Sequence, residues 1–218
     1  MNRRLLQFDI RVHKDDYVQT LWTPELRDLF LLNPVVEWPL SVDEWMWPSV
    51  FFSKTSTRKS FATIEVDDDT QGGDYWLNLE EMRAYYAAHK PRASGAVPIG
   101  IELYSEKSLD EDIVPYVLEP DGIECALWLN ATAPQVVPDG SELLGYDIAD
   151  ASRLSGLTNC GYTEEDRQAL RPAWGSRLNA FGLLRTLDDA IAYRQICDTR
   201  VAEHAPFWIY AIWRVGPE

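Results

Sequence analysis

Cys160 and His204 are the residues best suited to covalent chemistry here, because a thiol beside an imidazole base is a common form of activated nucleophile. Partners in such sites are often distant in sequence, and Asp147 or Asp150 would serve to orient the histidine. No local signature surrounds the cysteine, however. The plainer reading makes Cys160 a small buried residue and sets His204 at a helix end, where a ring donor meets free carbonyls. That reading is preferred, so no catalytic residue is assigned and a small hydrolase stays an alternative.

Asp67, Asp68, Asp69 and Asp74 offer the residue types of a calcium loop. Such a loop needs acids at alternate positions, then Gly and a later Glu. Three consecutive acids point alternately apart, and a solvated polar loop is the better expectation. Paired carboxylates for glycoside hydrolysis are easily drawn from 35 acids, which makes any one pair uninformative. The sequence contains no GxGxxG, GxxxxGK[ST], HExxH or CxxC motif. Its three histidines, His13, His89 and His204, fall in three different expected elements. Neither metal nor cofactor is expected.

Charge is more informative than any motif. Residues 97–150 hold twelve acids against Lys107 alone, a net of −11, and residues 61–96 add −4. Residues 1–60 and 151–218 each carry eight bases and eight acids, so the whole −15 lies between two neutral flanks. A solubilising charge has no reason to be confined in this way, whereas a concentrated field steers a partner of opposite sign. The sequence pI near 4.6 argues against nucleic acid and against an anionic membrane, both of which need clustered Lys and Arg. Three widely spaced cysteines, no apolar run of signal length before Asp9 and no stretch of membrane-spanning length predict a reduced, cytoplasmic protein.

The elements that must position these residues read as α+β: a mostly antiparallel sheet with a few short-to-medium helices in a single domain over residues 1–218. Residues 61–150 form its acidic, strand-rich region and residues 151–218 a helix-plus-strand region. Residues 4–13 alternate as an N-terminal strand. Thr23 and Pro24 open a helix through Leu32, and a hairpin pairs residues 50–54 with 60–67. Asn78 caps a helix through His89, with Met82, Tyr85, Tyr86 and His89 on its buried side. Residues 97–104, 113–118, 123–129 and 143–148 are strands, and the triplets Pro120, Asp121, Gly122 and Pro138, Asp139, Gly140 are turns. Thr163 begins a short helix to Leu170, and Thr186 a longer one to about Glu203. Residues 206–215 are too continuously apolar for a wet edge and should be a central strand.

The C-terminal third resembles a known group. The pieces Gly145, Tyr146, Asp147; Ser155, Gly156, Leu157; Asn159, Cys160, Gly161, Tyr162; and Glu203, His204, Ala205, Pro206, Phe207 are similar to bacterial proteins found around polymorphic-toxin and type VI secretion loci. Several of those proteins are thought to be immunity proteins. The pieces read as scaffold (turn glycines, a core cysteine, a helix-to-strand corner), with no catalytic motif to carry over. What the resemblance implies is an inhibitor of a cognate toxin. The acidity agrees, because many antibacterial toxins are basic nucleases and steering speeds their capture. The expected charge contacts are Asp67, Asp68, Asp69, Asp74, Glu106, Asp110, Glu111 and Asp112. Trp45 and Trp47, from the Trp-rich residues 37–48, are expected as anchors. A structural or adaptor domain is the alternative from another class, and homodimer formation stays open.

Overall fold

A computed structural model gives the fold for residues 2–11, 31–32, 40, 42, 75–76, 79–89, 97–105, 136–150, 154–158 and 161–216. Four long strands occur among them: β1 (Asn2–Arg11), β3 (Val97–Ser105), β4 (Glu142–Ala149) and β5 (Trp208–Arg214). The two-residue β2 (Tyr75–Trp76) joins them in one sheet of order β2-β1-β3-β5-β4, with every neighbouring pair antiparallel. Three helices complete the α+β architecture: α1 (Leu79–His89), α2 (Glu164–Trp174) and α3 (Leu187–Arg200). None of the described helices is long and apolar enough to cross a membrane.

The C-terminal strand sits where its composition demands. β5 pairs with β3 on one side and β4 on the other, and its residues Trp208, Ile209, Tyr210, Ala211 and Ile212 are all buried. Burying a side chain the size of Ile209 or Ile212 contributes about 1.5–3 kcal/mol, so this strand could not serve as a wet edge. Because β1 lies in the same sheet, the two ends of the chain share one core. On β1 a bulge between Leu5 and Gln7 shifts the alternation, and Leu5 and Phe8 come to the same face. They meet Gly100, where a Cβ would stand 3.1 Å from Leu5 Cδ1 and 3.7 Å from Phe8 Cδ1.

Helices α2 and α3 supply Leu170, Ala190, Tyr193 and Cys197 to a core that includes Tyr104, Tyr146, Ile148, Ile209 and Ala211 of the sheet. Helix α1 lies against β1, β2 and β3, with Met82 fully buried as its spacing predicts. The caps are those written in the sequence. Thr163 accepts from Asp166 N at 3.1 Å while Asp166 Oδ2 accepts from Thr163 N, a reciprocal box with three acids in the first turn. Thr186 accepts from Asp189 N in the same way at 3.1 Å.

Boundaries differ from expectation at three places. Helix α2 runs four residues past Leu170, through Pro172 to Trp174. Pro172 removes the bond to the Gln168 carbonyl and crowds it, but tertiary contacts hold the turn: Arg171 Nε donates to Leu31 O at 2.8 Å, and Trp174 meets Tyr193 edge-on at 5.0 Å. Helix α3 stops at Arg200 rather than near Glu203, because Val201 leaves helical geometry and residues 202–204 turn toward β5. Leu31 and Leu32 are buried bends rather than the end of a helix, with Leu31 N donating to Leu157 O at 2.9 Å. The hairpin over residues 50–67, the strands at 113–118 and 123–129 and the Pro120 turn lie outside the described residues.

Candidate functional site

Asp67, Asp68, Asp69, Asp74, Glu106, Asp110, Glu111, Asp112, Trp45, Trp47 and Cys160 also lie outside the described residues. The structure does place five acids of residues 97–150, and they divide sharply. Asp139 sits in the expected turn, where Ser141 N donates to Pro138 O at 3.2 Å and Gly140 takes a φ of 77°. Glu142 is on the surface and pairs with Arg214 at 2.8 Å. Glu102, Asp147 and Asp150 are buried, at 7%, 0% and 4% exposure. The charge count alone suggests that the acids of this region are displayed to a partner. Three of the described five acids instead point into the fold, because the sheet is covered where they stand.

Asp147, on β4, is the most deeply enclosed. Its Oδ1 accepts from Ser155 Oγ at 2.6 Å and Ile148 N at 2.8 Å, and its Oδ2 from Val42 N at 2.6 Å. One carboxylate thus ties the strand to residues 154–158 and to a residue more than a hundred positions earlier. A second backbone tie, Leu40 N to Phe181 O at 2.9 Å, fixes the same approach. Asp147 is therefore an internal fastener and not an orienter of His204.

Asp150 takes the orienting place. Its Oδ2 lies 3.1 Å from His204 Nδ1, its Oδ1 accepts from Leu154 N at 2.8 Å, and the histidine is partly exposed. His204 N donates to Val201 O at 3.0 Å in the turn after α3, so the expectation of a histidine at a helix end holds in position. The ring meets a carboxylate there, beyond any carbonyl.

A polar cluster that sequence reasoning missed spans β1, β3, β4 and β5. Trp213 Nε1 donates to Glu102 Oε2 at 2.9 Å, the Tyr104 and Tyr146 rings meet edge-on at 6.0 Å, and the Arg3 guanidinium stands 5.8 Å over Tyr104. Burial foremost raises the pKa of both tyrosines above the ordinary phenol value, so their hydroxyls stay neutral. Alternation along β3 puts Gly100, Glu102 and Tyr104 on one side, which from sequence alone looks like a solvent face. Only the register, with Glu102 beside Ala211 and Tyr104 beside Ile209, shows that this side belongs to the core face packed against α2 and α3.

Cys160 lies outside the described residues; among them, Cys197 is a core cysteine. Tyr162 Oη donates to Gly156 O at 3.0 Å and stands 3.2 Å from Cys197 Sγ, with Tyr193 also enclosed beside them. Burial pushes the Cys197 thiol up to about 12 and raises Tyr162 and Tyr193 well above their usual range. A raised folded value favours the neutral thiol. Its contribution to stability is complete below the unfolded value of about 8.5 and fades as pH rises toward the folded one. Thiolates are the reactive species, so iodoacetamide at pH 8 should leave Cys197 unmodified in the native protein. Mass spectrometry of tryptic peptides should detect its labelling only at denaturant concentrations that unfold the chain. Fast native labelling of Cys197 would contradict this burial.

Among the described residues, no group of three or more His, Cys, Asp or Glu is placed to hold a metal ion. No family model, curated protein or solved structure matches this chain.

Proposed function

We propose that this chain is a cytoplasmic immunity protein that binds and neutralises a basic antibacterial toxin, a nuclease in the leading reading, by covering its charged surface. The observation that carries the reading is the confinement of −15 to residues 61–150 between neutral flanks. The C-terminal flank supports it: four of its described arginines are matched to carboxylates of the same flank, those of Glu164, Asp166, Asp189 and Asp198, and so do little to offset charge elsewhere. The inward turn of Glu102, Asp147 and Asp150 shifts the burden of contact to Asp67, Asp68, Asp69, Asp74, Glu106, Asp110, Glu111 and Asp112, with Trp45 and Trp47 as aromatic anchors.

Calorimetric titration against the product of the neighbouring gene tests this. Neutralising Asp110, Glu111 and Asp112 together should weaken binding about 10–100-fold at low salt, mainly through the association rate. Raising the salt should shrink the difference between variant and wild type. Absence of binding, or an affinity indifferent to the triple change, would refute the assignment. The hydrolase alternative draws on the His204–Asp150 pair, whose 3.1 Å contact has the form of a base and its orienter. For that alternative, His204→Ala must abolish turnover of an ester substrate; for an immunity protein it should leave toxin binding intact.

A further inference from the structure

Asp139 differs from the other described aspartates in how little holds it. The carboxylates of Asp147, Asp150, Asp166, Asp189 and Asp198 each accept a hydrogen bond from a described neighbour. Asp188 is followed by Asp189, whose amide is committed to Thr186 Oγ1. Asp139 is exposed, and its carboxylate meets no donor or cation among the described residues. The residue after it is a glycine.

The turn leaves the amide of that glycine open. In a four-residue turn the internal bond runs from the fourth residue to the first, here from Ser141 N to Pro138 O at 3.2 Å. The third residue, Gly140, is left out of that bond. It is exposed, with nothing within 4 Å of where a Cβ would stand. Its φ of 77° already uses the freedom that glycine has, and no side chain hinders an approach to its nitrogen. The nearest carbonyl-type carbon that this nitrogen can reach in a five-membered ring is Asp139 Cγ.

We propose that Asp139 is a modification site, at which the backbone rearranges to isoaspartate through a succinimide. The Gly140 nitrogen attacks Asp139 Cγ and an N–Cγ bond forms. The amide proton and the carboxyl hydroxyl leave together as water. Water then adds back to one of the two ring carbonyls. Cleavage of the N–Cγ bond restores aspartate, whereas cleavage between the nitrogen and the Asp139 carbonyl carbon routes the main chain through the former side chain. The cycle returns the water it releases and needs no oxidant, reductant or cofactor. The product carries one more main-chain carbon in the turn, just before β4 begins at Glu142. It also carries a free α-carboxylate, the group that isoaspartyl methyltransferases esterify with a methyl from S-adenosylmethionine. The chemistry depends on the turn alone, so it stands independently of toxin binding.

The test incubates the full native chain in neutral buffer at physiological temperature, beside the same chain unfolded in guanidinium chloride. Labelled methyl transferred by a recombinant isoaspartyl methyltransferase measures the product, and electron-transfer fragmentation of the peptides locates it. Because exposed turns open at little free-energy cost, isoaspartate at residue 139 should form in the native chain within about tenfold of the unfolded rate. Asp147, Asp166 and Asp198 should stay protected until the chain unfolds. Asp139→Glu, a surface change that keeps the charge but requires a larger ring, should lose the signal from this peptide. Thermal melting of the variant establishes that the fold is retained. No isoaspartate at residue 139, a native rate more than about tenfold below the unfolded one, or an unchanged signal from this peptide in Asp139→Glu would each overturn the proposal.

Discussion

Asp147→Ala is expected to cost the protein about 3–5 kcal/mol, enough to remove much of the stability of an ordinary domain. The change deletes a fully buried carboxylate and leaves Ser155 Oγ and Val42 N without their acceptor. Buried donors stripped of partners bear the full cost of desolvation, which exceeds the net value of the bonds themselves. Asp147→Asn should cost less, about 2–3 kcal/mol, because one oxygen survives but an N–H₂ now meets either Val42 N or Ser155 Oγ. Chemical denaturation read by tryptophan fluorescence measures both. If Asp147→Ala shifts the midpoint by no more than a surface substitution does, the carboxylate is not the fastener described.

Gly156→Ala is expected to destabilise by about 2–3 kcal/mol through overpacking, and the loss should be partly recovered by a second change. A Cβ at position 156 would stand 2.6 Å from Cys197 Sγ, closer than any real contact allows, and 3.5 Å from Ile148 O. Cys197→Ala alone should cost roughly 1–2 kcal/mol for the lost sulfur contacts. In the double variant the new methyl occupies space vacated by the sulfur, so the two losses should add to more than the measured total. An interaction energy of about 1 kcal/mol or more in that cycle is the signature of direct contact. Strict additivity would mean that residues 154–158 do not rest on α3 as described.

Some features of the fold were legible because they are local. Thr163 and Thr186 were recognisable as caps from the acids that follow them, and both accept the expected backbone bonds. Asp139 and Gly140 form their turn because Gly accepts a positive φ without steric cost. The apolar run of β5 announced an interior strand. Helix ends were less legible. The extension of α2 through Pro172 depends on Leu31 and Tyr193, partners contributed from outside that helix.

The histidine was legible in part. Its place after α3 followed from the helix signal, whereas the choice of Asp150 over Asp147 as its partner did not. Both acids lie at the end of the same strand region, three residues apart, and composition cannot rank them. The register of β4 against β5 and the bridge from Ala149 to Ser155 turn Asp147 inward toward Ser155 and Val42, leaving Asp150 to meet His204.

By itself, then, the sequence determined the class of the fold, the caps and turns, and the uneven distribution of charge along the chain. All of these depend on neighbours within a few residues or on simple counting. Tertiary structure decided which of the described acids face inward and the enclosure of Cys197, as well as the sealing of a polar cluster around Glu102. Burial is a property of what lies across the sheet, and strands far apart in sequence supply it.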